Sequence, residues 1–328
     1  RFITLEQPKI QKRMKILITG GAGHIGASLG AALAHRGDCE VVLVDNLSTG
    51  NKDNLPRDEG NWSFIKADVN SFEDMAAIMT AHAFDYVFHY AAVVGVQRTQ
   101  QNPVSVLNDL EGIRVVLSLA KNTGVKRVFF SSSSEVYGEP VGFPQHEHTT
   151  PLNSRLPYAV VKNVGESFCR SYYQEFGLPY TIFRFFNTYG PFQSTDFVIS
   201  KFIRAAQKGD DVTIYGDGSQ TRTFCHVDDN VAVTLKCLID GESVNDTLNI
   251  GHETEISILD LARLVIRKTS SKSKVVHLAP LEAGDMTRRQ PNNGRMIELL
   301  GRPLIDLETG LEMLLEDADF CRRVATSR

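Results

Sequence analysis

The stretch KILITGGAGHIGASLGAALAHRG, residues 15–37, decides the fold of this chain. It begins as a short apolar run typical of a buried strand and continues in a helical pattern. Gly20, Gly23 and Gly26 stand between strand and helix in the spacing GxxGxxG. Glycines there permit a tight turn, a close approach of the backbone to a pyrophosphate and close packing of helix on sheet, while the helix N-terminus faces the anion. The stretch therefore predicts a dinucleotide-binding strand–turn–helix unit.

The second apolar run, VVLVD (41–45), ends on Asp45. A carboxylate at the end of this strand can accept both ribose hydroxyls of adenosine, and it repels a 2′-phosphate. No arginine follows it directly, so we predict NAD rather than NADP as the cofactor. His24 and Ile25 belong to the same glycine loop and are assigned to the cofactor site with it. We expect the unusual His24 to pack over the turn rather than to catalyse.

Further short apolar runs at 85–90, 127–132 and 180–186 alternate with helical patterns. Such strands between amphipathic helices are typical of a parallel sheet covered on both faces, so we predict a doubly wound α/β (Rossmann) fold. The rhythm changes after Asn187, although a last sheet strand is expected at 247–251. We assign residues 14–187 and 224–254 to an NAD-binding domain, and residues 188–223 and 255–328 to a smaller, mostly C-terminal α/β region that binds the substrate.

Composition narrows the classes of function. The 328 residues carry a net charge of −4, so neither a nucleic acid nor an anionic membrane is an expected partner. No stretch reaches the ~18 apolar residues of a membrane span. Residues 1–13 lack the apolar core of a signal peptide, and Met14 could be the natural start. Five dispersed cysteines without a CxxC pattern indicate free thiols and a cytoplasmic protein.

Two short patterns are candidates for chemistry outside the glycine loop. Tyr158 and Lys162 stand four positions apart, which places both side chains on one face of a helix. An ammonium beside a phenol lowers the phenol pKa from about 10, and this would make Tyr158 a base near neutral pH. The spacing alone is weak evidence, because it often occurs by chance. His146 and His148 form HxH without a third ligand at a useful spacing, so we expect a solvated loop and no metal.

With these residues in place, the chain resembles the extended short-chain dehydrogenase/reductase family, in its nucleotide-sugar epimerase, dehydratase and decarboxylase branch. The resemblance runs from Met14 to about Leu315. It rests on motifs that occur in the family's order: GGAGHIG, DNLSTG, ADVNS, HYAAVVGV, SSSSEVYG, YAVVK, RFFNTYGP and YGDGSQTRTF.

The resemblance implies roles for individual residues. It adds Asn46 to the cofactor set and places Asp68 and Val69 at the adenine, with Ala91 and Ala92 beneath the nicotinamide half. Ser133 would hydrogen-bond the sugar 4-oxygen beside Tyr158, and Lys162 would hold the nicotinamide ribose. One departure stands out, since aligning on Gly112 puts Asp109 where the family usually has Asn. If Asp109 replaces that Asn, the proton relay around Lys162 is altered.

The substrate implied by the resemblance is a nucleotide-diphosphate sugar, with UDP as the expected nucleotide. Asn187 would contact the diphosphate, and the strand ending at Tyr215 would lie against the base. Arg222 matches a phosphate or ribose contact, since the guanidinium fork suits phosphate. Either Arg288 or Arg289 matches a late arginine that reaches the diphosphate or sugar, and the sequence does not decide between them.

The branch begins with oxidation at C4 of the sugar and then diverges. Ser134 and Glu135, with an arginine in RRQP, are similar to UDP-glucuronate decarboxylases, and this likeness makes Ser134, Glu135 and Arg289 candidates to orient the sugar carboxylate. However, YAVVK stands where many decarboxylases have YDEGK, and AAVVGVQRTQQNP resembles the 4-epimerase loop more. We rank decarboxylation first, UDP-sugar 4-epimerisation second and 4,6-dehydration third. A non-catalytic, NAD-sensing protein is a remote alternative, because such proteins typically lose the Tyr or Lys. The resemblance also implies a homodimer formed through helices at 103–121 and 158–176.

Overall fold

The computed structural model describes residues 13–95, 99, 101–139, 141–280 and 288–326. The strands there are β1 (Met14–Thr19), β2 (Cys39–Asp45), β3 (Trp62–Lys66), β4 (Tyr86–His89), β5 (Arg127–Ser133), β6 (Tyr180–Phe185), β7 (Thr188–Tyr189), β8 (Val212–Tyr215), β9 (Thr221–Thr223), β10 (Cys225–His226), β11 (Asp246–Ile250), β12 (Glu255–Ser257) and β13 (Val275–Leu278). The helices are α1 (His24–Ala34), α2 (Phe72–His82), α3 (Pro103–Leu107), α4 (Asp109–Thr123), α5 (Pro157–Phe176), α6 (Val198–Lys208), α7 (Val227–Ile239), α8 (Ile258–Lys268), α9 (Gly294–Leu300), α10 (Leu307–Glu316) and α11 (Ala318–Thr326), with 3₁₀ turns at Lys52–Asn54 and Ser134–Tyr137.

A seven-stranded sheet in the order β11-β6-β5-β4-β1-β2-β3 forms the centre of the molecule, and its strands pair in parallel. The chain moves outward from β1 to β3 and then returns to β4 on the other side of β1. This order confirms the predicted doubly wound parallel sheet. Ligands of such folds bind where the order reverses, outside the carboxyl ends of β1 and β4.

The edge strand β3 was not among the predicted strands. Its sequence, WSFIK, contains the exposed polar residues Ser63 and Lys66. An edge strand is covered less completely than a central one, so it lacks the continuous apolar run on which the prediction relied. The single helix expected at 103–121 is also divided, into α3 and α4, at Asn108.

Alternate residues of each strand face opposite layers of helices. Leu17, Val87 and Phe130 belong to one apolar cluster, together with residues of α2, α4 and α5. Ile16 and Phe129 belong to the cluster on the other face, together with residues of α1 and α7. Each fully buried side chain of this kind contributes about 1.5–3 kcal/mol. Burial on both faces explains why these strands are apolar throughout.

Helix α5 lies very close to β5. A Cβ added at Gly165 would lie 2.2 Å from Cζ of Phe130, which is a β5 residue. The Phe130 ring fills the space between strand and helix, and the absence of a side chain at Gly165 leaves room for that ring. The close approach brings the Tyr158–Lys162 turn of α5 down toward the carboxyl end of β5.

The segments after β6 build a separate apolar cluster. Phe202, Ile203, Leu261, Val265 and Phe320 bring together α6, α8 and α11. The chain returns to the main sheet in between, since β11 pairs with β6. Helix α9 also joins the main sheet, because Met296 packs in the cluster that contains α1 and α7.

No helix in the described part of the chain is long and apolar enough to cross a membrane. The described residues contain no group of three His, Cys, Asp or Glu side chains that could hold a metal ion. All five cysteines are free thiols, and four of them are buried.

Candidate active site

The strand ends of the sheet carry most of the predicted site residues. Gly20 follows β1, Asp45 ends β2, and Ala91 lies just beyond β4. Ser133 ends β5, and Asn187 lies just beyond β6. Carboxyl ends of parallel strands meet at one edge, so the fold brings together residues that are more than 160 positions apart in the chain.

The glycine loop is shaped by contacts that no other residue would allow. Gly20 has a φ of +69°, and a Cβ there would lie 2.7 Å from the backbone N of Ala91. A Cβ at Gly26 would lie 2.2 Å from the carbonyl oxygen of Gly20. Gly23 is the N-cap of α1 and contributes no capping side chain. The first amides of α1, from His24 and Ile25 onward, therefore remain available to an anion.

His24 packs beneath this loop. A Cβ at Gly190 would lie 2.9 Å from its Cε1, and both of its ring nitrogens are buried without a hydrogen-bond partner among the described residues. Burial lowers the pKa of His24 from 6.5 to about 3, with smaller contributions from His226 and Arg323. The ring is therefore neutral at physiological pH, in keeping with a packing role.

Asp45 is held rigidly beside the loop. Its Oδ2 accepts the Ala22 amide at 3.1 Å, and its Oδ1 accepts the Leu47 amide at 2.7 Å. The neighbouring Asn46 accepts the Ser48 amide and so shapes the turn that follows β2. Asp45 is buried, with 8% of the residue exposed.

The loops after β3 and β4 complete the cofactor side. Asp68 accepts the Asn70 amide at 3.0 Å, and Asn70 in turn accepts the Gly112 amide at 2.9 Å. A Cβ at Gly112 would lie 3.0 Å from Val69. Beyond β4, the Ala91 amide donates to Thr19 Oγ1, and Ala92 follows half-buried. The amides at the α1 N-terminus suit a pyrophosphate and the Asp45 carboxylate suits ribose hydroxyls, so the residues present fit NAD.

Tyr158 and Lys162 lie on α5, opposite the end of β5. Lys162 is buried, its Nζ donates to Ser131 Oγ at 3.2 Å, and Nζ lies 5.7 Å from the centroid of the Tyr158 ring. Ser133 hydrogen-bonds Tyr158. The structure therefore brings the predicted trio of Ser133, Tyr158 and Lys162 together. Ser131 is a partner that sequence reasoning missed, although it lies in the same serine run.

The expected depression of the Tyr158 pKa is not what the structure shows. Burial raises the pKa of Tyr158 above its ordinary value, and Glu135 and Asp109 raise it further, while Ser133 and Arg289 oppose the rise. Burial also lowers the pKa of Lys162 to about 8. A water-poor site disfavours both charged forms, and this outweighs the effect of the lysine on the tyrosine.

Asp109, the departure from the family pattern, is close enough to Lys162 to affect its charge. Its Oδ2 accepts the Val93 amide at 2.7 Å, at the start of α4. Burial raises the pKa of Asp109, and Lys162 opposes this rise. Asp109 in turn raises the pKa of Lys162. The departure therefore adds a carboxylate next to the lysine, whereas an Asn would be neutral.

The two candidate arginines have different surroundings. The Arg289 guanidinium lies 3.5 Å from the Glu135 carboxylate, with both side chains largely buried. Arg288 instead makes two hydrogen bonds to Glu255, at 2.6 and 2.7 Å, and lies over the Phe143 ring. Ser134, beside Glu135 in the 3₁₀ turn, is buried. Arg289 therefore lies close to Glu135 and Tyr158, whereas Arg288 contacts Glu255 and Phe143 instead.

The remaining predicted substrate residues lie where the second region meets the sheet. Asn187 has a φ of +36° and donates its side-chain amide to the Thr223 carbonyl at 2.9 Å. Arg222, on β9, is buried and donates to the Thr221 carbonyl. Tyr215 ends β8, with Lys201 Nζ 5.3 Å from its ring centroid. Lys201 was not predicted, because a lysine within a helical pattern gives no signal of a ring contact.

A buried polar network supports the catalytic side. Arg184 makes two 2.8 Å bonds to Glu166, which lies one turn beyond Lys162 on α5. Glu166 also accepts Ser132 Oγ at 2.6 Å, and Arg184 donates to the Tyr137 hydroxyl. The network links α5, β5 and the 3₁₀ turn. These elements carry Tyr158 and Lys162, Ser133, and Glu135, respectively.

Comparison with known proteins identifies the family. The sequence profile of the NAD dependent epimerase/dehydratase family matches residues 16–251. The chain belongs to this family. The resemblance inferred from the motifs is confirmed, and so is the assignment of an NAD-dependent enzyme of nucleotide-sugar chemistry.

The relatives of this epimerase/dehydratase family member include several decarboxylases. UDP-N-acetyl-alpha-D-glucosaminuronate decarboxylase of Bacillus cytotoxicus is 35% identical, over 93% of this chain and 97% of the relative. UDP-glucuronic acid decarboxylase 6 of Arabidopsis thaliana is 34% identical, over 94% of this chain and 89% of the relative. Among solved structures, UDP-glucose 4-epimerase of Thermotoga maritima with UDP-glucose has a TM-score of 0.88 at 32% identity, covering 94% of this chain and 99% of that one.

Proposed function

We propose that this enzyme decarboxylates a UDP-hexuronate, with UDP-glucuronate as the first candidate, through a 4-keto intermediate. The observation that carries the proposal is the position of Arg289, largely buried, 3.5 Å from Glu135 and close enough to Tyr158 to affect its pKa. A guanidinium there can bind the C6 carboxylate of the sugar when C4 lies at Tyr158. The decarboxylases among the relatives support the same reaction.

Bound NAD would supply the acceptor for the C4 hydride and would return that hydride at the end. The residues of the chain would transfer the protons and bind the carboxylate. Tyr158 takes the proton of the C4 hydroxyl, with Ser133 holding the same oxygen. The resulting 4-keto sugar is a β-keto acid, so the C5–C6 bond breaks, CO2 leaves and its bonding electrons form an enolate at the C4 oxygen. Protonation of the enolate at C5 by water gives a 4-keto pentose, and Tyr158 returns the proton it took to the C4 oxygen when C4 is reduced.

The proposed binding roles follow the geometry. The glycine loop, Asp45, Asp68 and the residues beyond β4 would hold NAD. Asn187, Arg222 and Tyr215 would hold the nucleotide diphosphate. Residues 14–187 and 224–254 would form the NAD-binding domain, with 188–223 and 255–328 as the nucleotide-sugar domain. The separate apolar cluster of α6, α8 and α11 supports this division.

A sugar panel tests the reaction. The protein is incubated with UDP-glucuronate labelled with ¹³C at C6, UDP-N-acetylglucosaminuronate, UDP-glucose and UDP-N-acetylglucosamine, and products are followed by NMR. We expect labelled CO2 and a UDP-pentose from UDP-glucuronate, or the corresponding loss of C6 from the N-acetyl acid. A product with inverted C4 and all carbons retained would replace decarboxylation with 4-epimerisation. The fold likeness to a UDP-glucose 4-epimerase favours that alternative over dehydration.

We further propose a homodimer through α3–α4 and α5. Large apolar side chains are exposed on these helices, with Val104 at 70%, Phe176 at 45% and Tyr173 at 43%. Light scattering on the purified protein should give twice the chain mass, and Val104→Glu combined with Tyr173→Glu should give monomers. A cytoplasmic location is proposed from the five free thiols and would be checked by cell fractionation.

A further inference from the structure

The helix α11 lies beyond the region of family resemblance, which ends near Leu315, and beyond the family profile, which ends at residue 251. One face of α11 is anchored in the second region, where Phe320 and Val324 are each 1% exposed in its apolar cluster. The adjacent face of the helix contacts the NAD-binding part of the chain. There Asp319 pairs with Arg57 at 2.6 Å, and Arg323 makes the contacts that matter here.

Arg323 joins two loops that are distant in sequence. Its Nη1 donates to Asn54 Oδ1 at 2.8 Å, and its Nη2 donates to the Pro191 carbonyl. The guanidinium also lies 5.1 Å from the centroid of the Phe192 ring. Burial lowers the pKa of Arg323, so the charged fork is held by protein groups more than by water. A planar fork with several donors suits this double contact.

Asn54 connects Arg323 to the glycine loop through two hydrogen bonds. Asn54 is 7% exposed, and its Nδ2 donates to the Ala22 carbonyl at 3.0 Å, while the Asn51 amide donates to the same oxygen. Ala22 lies between Gly20 and Gly23, and its own amide is bound by Asp45. The Arg323–Asn54–Ala22 chain therefore ends in the backbone that faces the NAD pyrophosphate.

Pro191 connects Arg323 to the same loop through a second set of contacts. It follows Gly190, which packs against His24, the first residue of α1. Pro191 also belongs to RFFNTYGP, four residues after Asn187. A single guanidinium thus contacts both the support of the glycine loop and the segment that leads from the sheet into the second region.

We infer that Arg323 is a positioning residue for the cofactor: it holds the glycine loop, through Asn54 and Pro191, in the geometry that binds the NAD pyrophosphate. The inference concerns NAD binding alone and does not depend on which sugar reaction follows. It assigns to α11, a helix beyond the family motifs, a part in the cofactor affinity of the enzyme.

The test is the dissociation constant for NAD of the full-length protein, measured by calorimetry after NAD is removed, together with the NAD content of freshly purified protein. Arg323→Gln should weaken NAD binding about tenfold, the size expected when a buried charged hydrogen bond is lost. Arg322→Gln is the matched control, because Arg322 is 70% exposed on the same helix and pairs only locally with Asp319. The control should bind NAD as the wild type does.

A double-mutant cycle separates positioning from general damage. If Arg323 acts through Asn54, then Arg323→Gln has a much smaller effect in an Asn54→Ala background than in the wild type. Equal effects in both backgrounds would overturn the inference, as would wild-type NAD affinity in Arg323→Gln. Should Arg323→Gln fail to fold, Arg323→Lys serves instead. Its single ammonium lacks the planar fork, so it should weaken NAD binding several-fold, and unchanged affinity there would also refute the positioning role.

Discussion

The glycine loop and the Glu135–Arg289 pair are both at the carboxyl edge of the sheet, but they are built in different ways. The glycine loop is made by residues within one short stretch, and its shape depends on missing side chains such as the Cβ of Gly26. The Glu135–Arg289 pair joins residues more than 150 positions apart, and it depends on side chains that are present. The proposed cofactor site is therefore local and steric, whereas the pair proposed to decide the outcome of the reaction depends on long-range contacts and charge.

The largest effect is expected at Tyr158, because the proposed reaction at its hydroxyl needs both the cofactor site and the Glu135–Arg289 pair. Tyr158→Phe removes the hydroxyl that moves the C4 proton, so turnover should fall about 10³-fold while NAD stays bound. Product formation and NAD content are measured on the same preparation. Turnover near the wild-type rate would show that another residue is the base.

The steric character of the glycine loop is tested by Gly26→Ala. The added Cβ would lie 2.2 Å from the Gly20 carbonyl oxygen, so the backbone must shift, and we expect overpacking of roughly 3 kcal/mol and loss of bound NAD. Gly37→Ala is the control, because nothing lies within 4 Å of its Cβ position. The two variants are compared by NAD content and thermal melting. If both variants had the same NAD content and melting temperature, the shape of the glycine loop would not depend on the missing Cβ of Gly26.

The charge character of the other region is tested by Arg289→Gln. CO2 release should fall about 10²-fold, a loss of about 2.7 kcal/mol in transition-state stabilisation. The acidic limb of the pH–rate profile, where Tyr158 loses its proton, should also move to higher pH, because Arg289 lowers the pKa of Tyr158. Arg288→Gln should change the rate less, since Arg288 pairs with Glu255. The reverse ranking would exchange the roles of the two arginines.

The smallest effect concerns the packing beneath the loop. Burial lowers the pKa of both His24 and His89 from 6.5 to about 3. Below pH 6.5 the unfolded chain binds protons that the folded chain does not, so stability falls as the pH falls, by up to about 1.4 kcal/mol per pH unit for each histidine. His24→Phe should remove about half of this slope. Denaturant unfolding at pH 7 and pH 5 measures it, and an unchanged slope would mean that His24 is not buried neutral.

The same contrast explains what could be predicted from the sequence. The sheet, the glycine loop and the Tyr158–Lys162 turn depend on spacings of a few residues, which a strand or helix converts directly into geometry. The choice between Arg288 and Arg289 could not be made, because it depends on which side chain faces Glu135 and which faces Glu255. The predicted direction of the Tyr158 pKa shift was wrong for a related reason. The shift depends on burial in the folded protein, and the spacing of two residues gives no information about burial.

Gly165 leads to a last consequence. Because the Phe130 ring occupies the space that a Cβ of Gly165 would need, a residue without a side chain limits how closely α5 can approach β5. The proton affinity of Tyr158 and Lys162 could therefore be altered without changing either residue. A side chain at this contact would push the helix away from the sheet, and the pKa values of Tyr158 and Lys162 would change with their exposure to water.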